Sequence, residues 1–304
     1  MTSRATERGA DQRHLPDTTV ALRQGGKHQA PRLPYFDILL PLLNQGDERM
    51  EAAFGRHVHW GYWDDPTRAT GKADDFARAA ERLCAEMFAD AGIANGQTVL
   101  DVGCGLGGTV ASLNERFQDM RLFGLNIDPR QIARARSKVS ARAGNTVAFV
   151  AGTASSLPLP DASCDTVLAV EAIFHFPDRV QFFREAHRVL KPGGKLVLTD
   201  YLASAWIQPS LWPRIGWSYY GDCDVSYSLG RYRRLGASVG LRPVVERDIN
   251  ANTMPTFYFL QSLRGMLEQQ SKAPMYETAA LYVMARLGLW RYSILAFEKP
   301  ATAV

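Results

Sequence analysis

The chain of 304 residues is 46% hydrophobic and 22% charged, with a net charge of +4. These values describe one large globular domain, or one with an appended cap, and the scattered basic residues exclude the concentrated patch that nucleic acid requires. No apolar run has the length of a membrane span, and Cys84, Cys104, Cys164 and Cys223 lack metal-like pairing, so the sequence reads as a reduced, cytoplasmic protein.

In chain order, residues 1–30 are polar and carry no hydrophobic stretch suited to secretion, and a disordered tail is expected there. Residues 31–95 read as an N-terminal helical cap. Within it, apolar spacing predicts helices over 35–43 and 76–91, the second presenting Phe76, Ala79, Ala80, Leu83, Met87 and Ala91 on one face. Between them lies His57-Val-His59-Trp-Gly61-Tyr62-Trp63. Paired histidines suggest a metal, but no Cys, Asp or Glu accompanies them at ligand spacing, and no metal is predicted.

Residues 96–304 alternate. Strands are predicted over 98–101, 121–126, 147–151, 166–171 and 195–200, and helices over 109–117, 129–143 and 179–190, with Lys191-Pro-Gly-Gly as a helix stop and turn. Such alternation gives a parallel sheet covered on both faces, an α/β fold. After Asp200 the rhythm breaks. The stretch 201–227 holds Trp206, Trp212, Trp217, Tyr219, Tyr220 and Tyr227, interrupted by Pro209 and Pro213, and is expected to be an inserted aromatic lid. A helix over 228–239, a strand over 241–248, helices over 257–270 and 275–287 and a last strand over 290–297 complete the pattern.

Chemistry concentrates in 99–108, Val-Leu-Asp-Val-Gly-Cys-Gly-Leu-Gly-Gly, a strand running into a turn almost without side chains. Gly103, Gly105 and Gly107 let a ligand approach the backbone, and the following helix points its N-terminal amides at the loop. The spacing also fits the dinucleotide fingerprint through Gly103, Gly105 and Gly108, a weak match by itself. Asp101 argues against it, because a pyrophosphate would meet like charge there, whereas a cofactor with an ammonium and a sulfonium would find a countercharge.

Further segments carry a resemblance. Residues 121–131 read Arg-Leu-Phe-Gly-Leu-Asn-Ile-Asp-Pro-Arg-Gln, 150–160 read Val-Ala-Gly-Thr-Ala-Ser-Ser-Leu-Pro-Leu-Pro, 171–178 read Glu-Ala-Ile-Phe-His-Phe-Pro-Asp, and 185–195 end in Lys-Pro-Gly-Gly-Lys before Leu-Val-Leu-Thr-Asp200. Together, across about 83–298, these resemble the class I S-adenosylmethionine-dependent methyltransferases, in particular the branch with sterol, tocopherol and sugar enzymes. The resemblance implies a Rossmann-like seven-stranded sheet whose final strand inserts antiparallel, preceded by N-terminal helices. It implies S-adenosylmethionine as cofactor, held by Asp101, Gly103, Cys104 and Gly105, by Asn126, Ile127 and Gln131, by Thr153, Ala154 and Ser155, and by Glu171. Thr153 stands where relatives commonly have Asp or Asn. His59, Gly61 and Tyr62 resemble the segment that folds over the cofactor, with Tyr62 covering the sulfonium.

The same resemblance makes His175 the general base and Asp200 its carboxylate partner, with Glu171 lining the methyl pocket or orienting His175. The expected reaction is O-methylation of a small lipophilic or natural-product acceptor, apolar or aromatic. A prenyl, terpenoid or polyketide carbon is the alternative acceptor. An NAD-linked oxidoreductase, or a cofactor-binding protein without methyl transfer, represents a different class. No nucleic-acid partner and no membrane span are expected, and a homodimer is left open.

Overall fold

The computed structural model describes residues 33–204, 215–217, 219–263 and 273–301. The strand that leads to the glycine turn, β1 (Thr98–Val102), is buried along its whole length, as a strand covered on both faces must be. It lies centrally in a seven-stranded sheet with β2 (Arg121–Asn126), β3 (Thr146–Ala151), β4 (Cys164–Ala169) and β5 (Leu190–Ala203), completed after the aromatic segment by β8 (Arg242–Asp248) and β9 (Trp290–Glu298). The order is β3-β2-β1-β4-β5-β9-β8, parallel from β3 to β5, with β9 antiparallel to both of its neighbours. The chain steps outward from β1 to β3 and then returns to place β4 on the other side of β1. That reversal opens a crevice at the carboxyl ends of β1 and β4, where ligands of such sheets bind.

Helices α3 (Ala73–Ala91), α4 (Gly108–Arg116) and α5 (Pro129–Lys138) cover one face through Leu83, Met87, Leu113 and Ile132, while α6 (Arg179–Val189) and α7 (Leu229–Ser238) cover the other through Phe182, Phe183 and Tyr232. Thus α3 belongs to the layers of the core as well as to the N-terminal helices. A third apolar cluster joins α1 (Pro34–Asn44), α2 (Glu48–Phe54), α3 and α9 (Pro255–Ser262), where Phe76 stacks on Phe259 with ring centres 4.4 Å apart. Short α8 (Asn250–Thr253) precedes α9, and α10 (Ala273–Arg286) leads into β9.

Several boundaries differ from the sequence expectation, three of them with a structural consequence. The helix expected over 129–143 stops at Lys138, because the Asn114 side chain takes up the backbone beyond it, accepting from the Arg142 amide and donating to the Ser140 carbonyl. The last core strand is longer than 195–200, since β9 pairs with it out to Ala203, and the Lys-Pro-Gly-Gly turn is a register break within that strand. The expected helix over 257–270 starts earlier, with Pro255 in its first turn, and ends at Ser262, while 264–270 lie outside the described residues. Within the expected lid, β6 (Ile215–Trp217) and β7 (Gly221–Cys223) form a small hairpin, while Trp206, Pro209, Trp212 and Pro213 lie outside the described residues, as does the expected tail.

Candidate active site

β1 delivers Asp101 to the crevice with 1% exposure, and neither carboxylate oxygen has a hydrogen-bond partner. Burial pushes its pKa up to about 7, moderated only by the nearby Thr109 hydroxyl. An uncompensated buried carboxyl is costly unless something else supplies the countercharge. It sits just beneath the wall of a cleft of about 890 Å³, mouth included, whose floor is the turn from Val102 to Leu106. Gly105 holds φ +52, and a Cβ there would meet only Gln131 at 3.9 Å, so an added side chain would project into the open cleft. Gly108 serves a different approach. A Cβ on it would lie 2.3 Å from the Arg56 carbonyl, which is how closely the 56–59 segment crosses the start of α4.

Most expected cofactor residues meet on this cleft: His59, Gly103, Cys104, Gly105, Asn126, Ile127, Gln131, Thr153, Ala154 and Glu171 all line it. Asn126 donates to Gln131 Oε1 and accepts from the Asp128 amide, which fixes its amide orientation at the end of β2. Besides Asp101, three more of the expected residues do not line the cleft. Gly61 is a packing residue, its amide donating to Thr256 and its Cα facing Ala79 and Trp63 too closely for any side chain. Tyr62 lies off the cleft, its amide on the Ala79 carbonyl and its ring near Arg82, and the part of this segment that borders the cleft is Arg56, His57, Val58 and His59. Ser155 is also absent from the wall, because its amide turns back to the Thr153 hydroxyl.

A second cavity of about 830 Å³ adjoins the first and shares Tyr35, Val58, His59, Glu171 and His175 with it. Its other walls are mainly apolar, including Leu39, Met50, Phe54 and Leu260, with Tyr219 and Tyr220 from the hairpin turn. A third, of about 420 Å³, continues past Trp60, Phe174 and Tyr220 to Tyr201 and Trp290. Glu171 borders all three. It adopts φ +49, uncommon for a residue with a side chain, and its amide donates to Thr199 Oγ1. Its Oε2 accepts from the Trp60 amide at 2.7 Å and the Tyr292 hydroxyl at 2.8 Å, yet burial outweighs these bonds and raises its pKa to about 8.

His175 stands at the junction of the first two cavities. Its Nδ1 is 2.9 Å from the Asp222 carbonyl, which can only accept, so Nδ1 carries the proton and Nε2 is left as a free base. The ring edge reaches the cavities, but Phe174 and Tyr35 enclose the rest, and burial lowers its pKa to about 4. Asp200, expected as its carboxylate partner, has other partners in the structure. It is fully buried in an ion pair with Arg179 at 2.6 Å, accepts from Tyr232 at 2.5 Å, and lines none of the three cavities. Arg179 is further held by the Asp224 carbonyl and the face of Tyr227, which ties α6 to the segment before α7.

Residues 100–198 match the methyltransferase-domain family. A methyltransferase of Streptomyces halstedii, GfsG, is 32% identical over 219 residues, covering 70% of this chain and 76% of the relative. The 27-O-demethylrifamycin SV methyltransferase of Amycolatopsis mediterranei is 32% identical over 239 residues, covering 77% and 82%. The chain is a class I S-adenosylmethionine-dependent methyltransferase. Among solved structures its fold is similar to the [4+2]-cyclase SpnF (TM-score 0.68, 23% identity, 88% and 94% covered). It is similar too to geranyl diphosphate C-methyltransferase from Streptomyces coelicolor A3(2) (TM-score 0.65, 20% identity, 89% and 100% covered).

The methyltransferase's cleft fits its cofactor on three counts: an orphaned buried carboxyl for a cation, a glycine turn with open space above Gly105, and the polar pair Asn126 and Gln131 at the end of β2. The dinucleotide alternative falls with the family assignment. Sequence reading missed Tyr35, Trp60 and Phe174 as walls and Tyr292 as the holder of Glu171. Tyr292 could have been found only from strand register, because β9 lies antiparallel beside β5 and pairs it with Tyr201. Missed as well was Cys84, which α3 brings to His57 and His59 from 25 residues beyond the latter.

Proposed function

We propose that this methyltransferase transfers a methyl group to the oxygen of a neutral, lipophilic natural-product acceptor bound in the second cavity. The observation that carries this reading is His175 at the junction of cofactor cleft and acceptor cavity, with Nε2 free to take a proton. S-adenosylmethionine supplies an already activated methyl group. The chain's own task is to align the acceptor, exclude water and receive the hydroxyl proton. A histidine held near pKa 4 does not ionise an alcohol beforehand. It takes the proton as the oxygen–methyl bond forms and the sulfur–methyl bond breaks, when the hydroxyl has become strongly acidic.

The acceptor's charge is limited by the walls. Among the described residues no Lys or Arg lines the second or third cavity, which disfavours an acceptor with a diphosphate. The natural-product O-methyltransferases among the relatives support the same class of acceptor. Carbon methylation is the second reading, favoured by one observation: Trp60, Phe174, Tyr201, Tyr220 and Trp290 surround Glu171 in the third cavity, a setting that would steady a carbocation. The four cysteines, all free and buried, suit a reducing, cytoplasmic setting, and no helix among the described residues is long and apolar enough to cross a membrane.

The test is incubation with methyl-labelled donor and a panel of phenols, glycosides, polyketides and prenyl diphosphates, with the methyl position read by NMR. Label on the oxygen of an uncharged apolar acceptor is expected. Label on carbon would replace this reading with the second. Cofactor binding without transfer to any acceptor would favour a protein that has lost methyl transfer.

A further inference from the structure

The HxH segment packs its two imidazoles against α3, and three potential ligand atoms converge there. His57 Nδ1 and His59 Nε2 are 3.0 Å apart, and Cys84 Sγ lies 3.9 Å from the first and 3.4 Å from the second. All three residues are buried. The outer nitrogens are already committed. His57 Nε2 donates to Glu81 Oε2 at 2.8 Å, and His59 Nδ1 donates to the Trp60 carbonyl at 3.0 Å. With both rings neutral, the two inner nitrogens therefore present lone pairs to each other, and the thiol hydrogen can serve only one of them. Something positive has to sit between them.

We propose that His57, His59 and Cys84 bind one zinc-class divalent cation. Bond lengths of 2.0–2.1 Å to nitrogen and 2.3 Å to sulfur around a tetrahedral ion give edges of about 3.3 Å between nitrogens and about 3.6 Å between nitrogen and sulfur. The observed triangle of 3.0, 3.4 and 3.9 Å needs shifts of only a few tenths of an ångström. The outer bonds are those of metal-binding histidines, one imidazole backed by a carboxylate and the other by a backbone carbonyl. Glu81 is itself held by Arg116 and Ser112, which orients it toward His57. Binding replaces the thiol proton with the metal–sulfur bond and releases that proton to solvent, leaving a fourth position for water or for a ligand atom from the cleft that both histidines line.

The experiment treats the purified full-length protein with dipicolinate, dialyses it, and titrates it with Zn²⁺ and with Co²⁺. One equivalent should bind, and the cobalt form should show the near-ultraviolet thiolate-to-metal absorption. Cys84→Ser should abolish that absorption. Glu81→Gln should weaken binding about 10- to 100-fold, the usual effect of removing a histidine's backing carboxylate. A His14→Gln, His28→Gln protein and a Cys164→Ser protein should match wild type, which assigns the site. Wild-type protein that takes up no stoichiometric metal overturns the proposal and means the two rings share a proton instead. Thiolate absorption that persists in Cys84→Ser overturns it equally, and the wild-type titration decides the point even where a variant fails to fold.

Discussion

Two polar residues expected to work together, His175 and Asp200, occupy different environments, and their variants should separate accordingly. His175→Ala should lower turnover by about 10²- to 10⁴-fold, the contribution of a positioned base, with little change in S-adenosylhomocysteine affinity or melting temperature. Because burial and the Asp222 carbonyl set the pKa of His175 to about 4, the wild-type rate should climb through that pH and be flat above pH 6. A rising limb centred near 6.5 would mean that the ring is solvated during turnover. Asp200→Asn should act on stability. It leaves Arg179 charged, buried and without its carboxylate, a defect worth about 3–5 kcal/mol. Chemical denaturation would show this as a lower midpoint. Unchanged stability with lost turnover would return Asp200 to the reaction.

Among elements, the contact that decides the site's shape is the crossing of 56–59 over the start of α4. Gly108→Ala places a methyl group 2.3 Å from the Arg56 carbonyl, and relieving it strains the cover by about 1–3 kcal/mol. Calorimetry should show weaker S-adenosylhomocysteine binding while far-ultraviolet circular dichroism stays unchanged, since β1 and the glycine turn are not involved. Equal affinity would mean that the segment does not close over the cofactor. Strands such as β1 were legible because a short apolar run is bounded by glycine, here Gly96 and Gly103, and the turn from Asp101 to Gly107 spells its own conformation. The cover was not. Gly61-Tyr62 reads like a ligand clasp, yet Gly61 is glycine because Ala79 and Trp63 leave no room, and the Ala79 contact comes from α3, further along the chain. The same reasoning applies to Cys84. Ligand spacing along the chain cannot reveal a thiol presented by a different helix. Asp200 looked catalytic for its position at a strand end, but the burial of Arg179 beside it is decided by the packing of α6 against α7.

At the scale of the whole molecule, the free enzyme holds two buried carboxyls that favour their protonated forms, Asp101 near pKa 7 and Glu171 near 8, both because of burial. Ordinary Asp and Glu side chains in an unfolded chain titrate near 3.9 and 4.3. The folded state therefore binds more protons than the unfolded state between those values, and unfolding free energy must fall as pH rises through that window. The stability these groups contribute is complete below about pH 4 and is lost as pH passes 7 to 8, apart from whatever other groups add. A bound cation reverses the balance, because it favours the ionised carboxyl by direct attraction in a poorly screened site. Cofactor binding should then release protons near neutral pH, and the rise in melting temperature caused by S-adenosylhomocysteine should be larger at pH 8 than at pH 5.5. Asp101→Asn, which keeps the shape and removes the charge, should bind the ligand more weakly, flatten that pH dependence, and unfold no earlier than wild type at pH 8 when ligand-free. A ligand-induced shift that is the same at both pH values in wild type would show that the Asp101 charge does not couple to the cofactor. If it does couple, the destabilising carboxyl under the cleft floor is the charge the cofactor's cation requires.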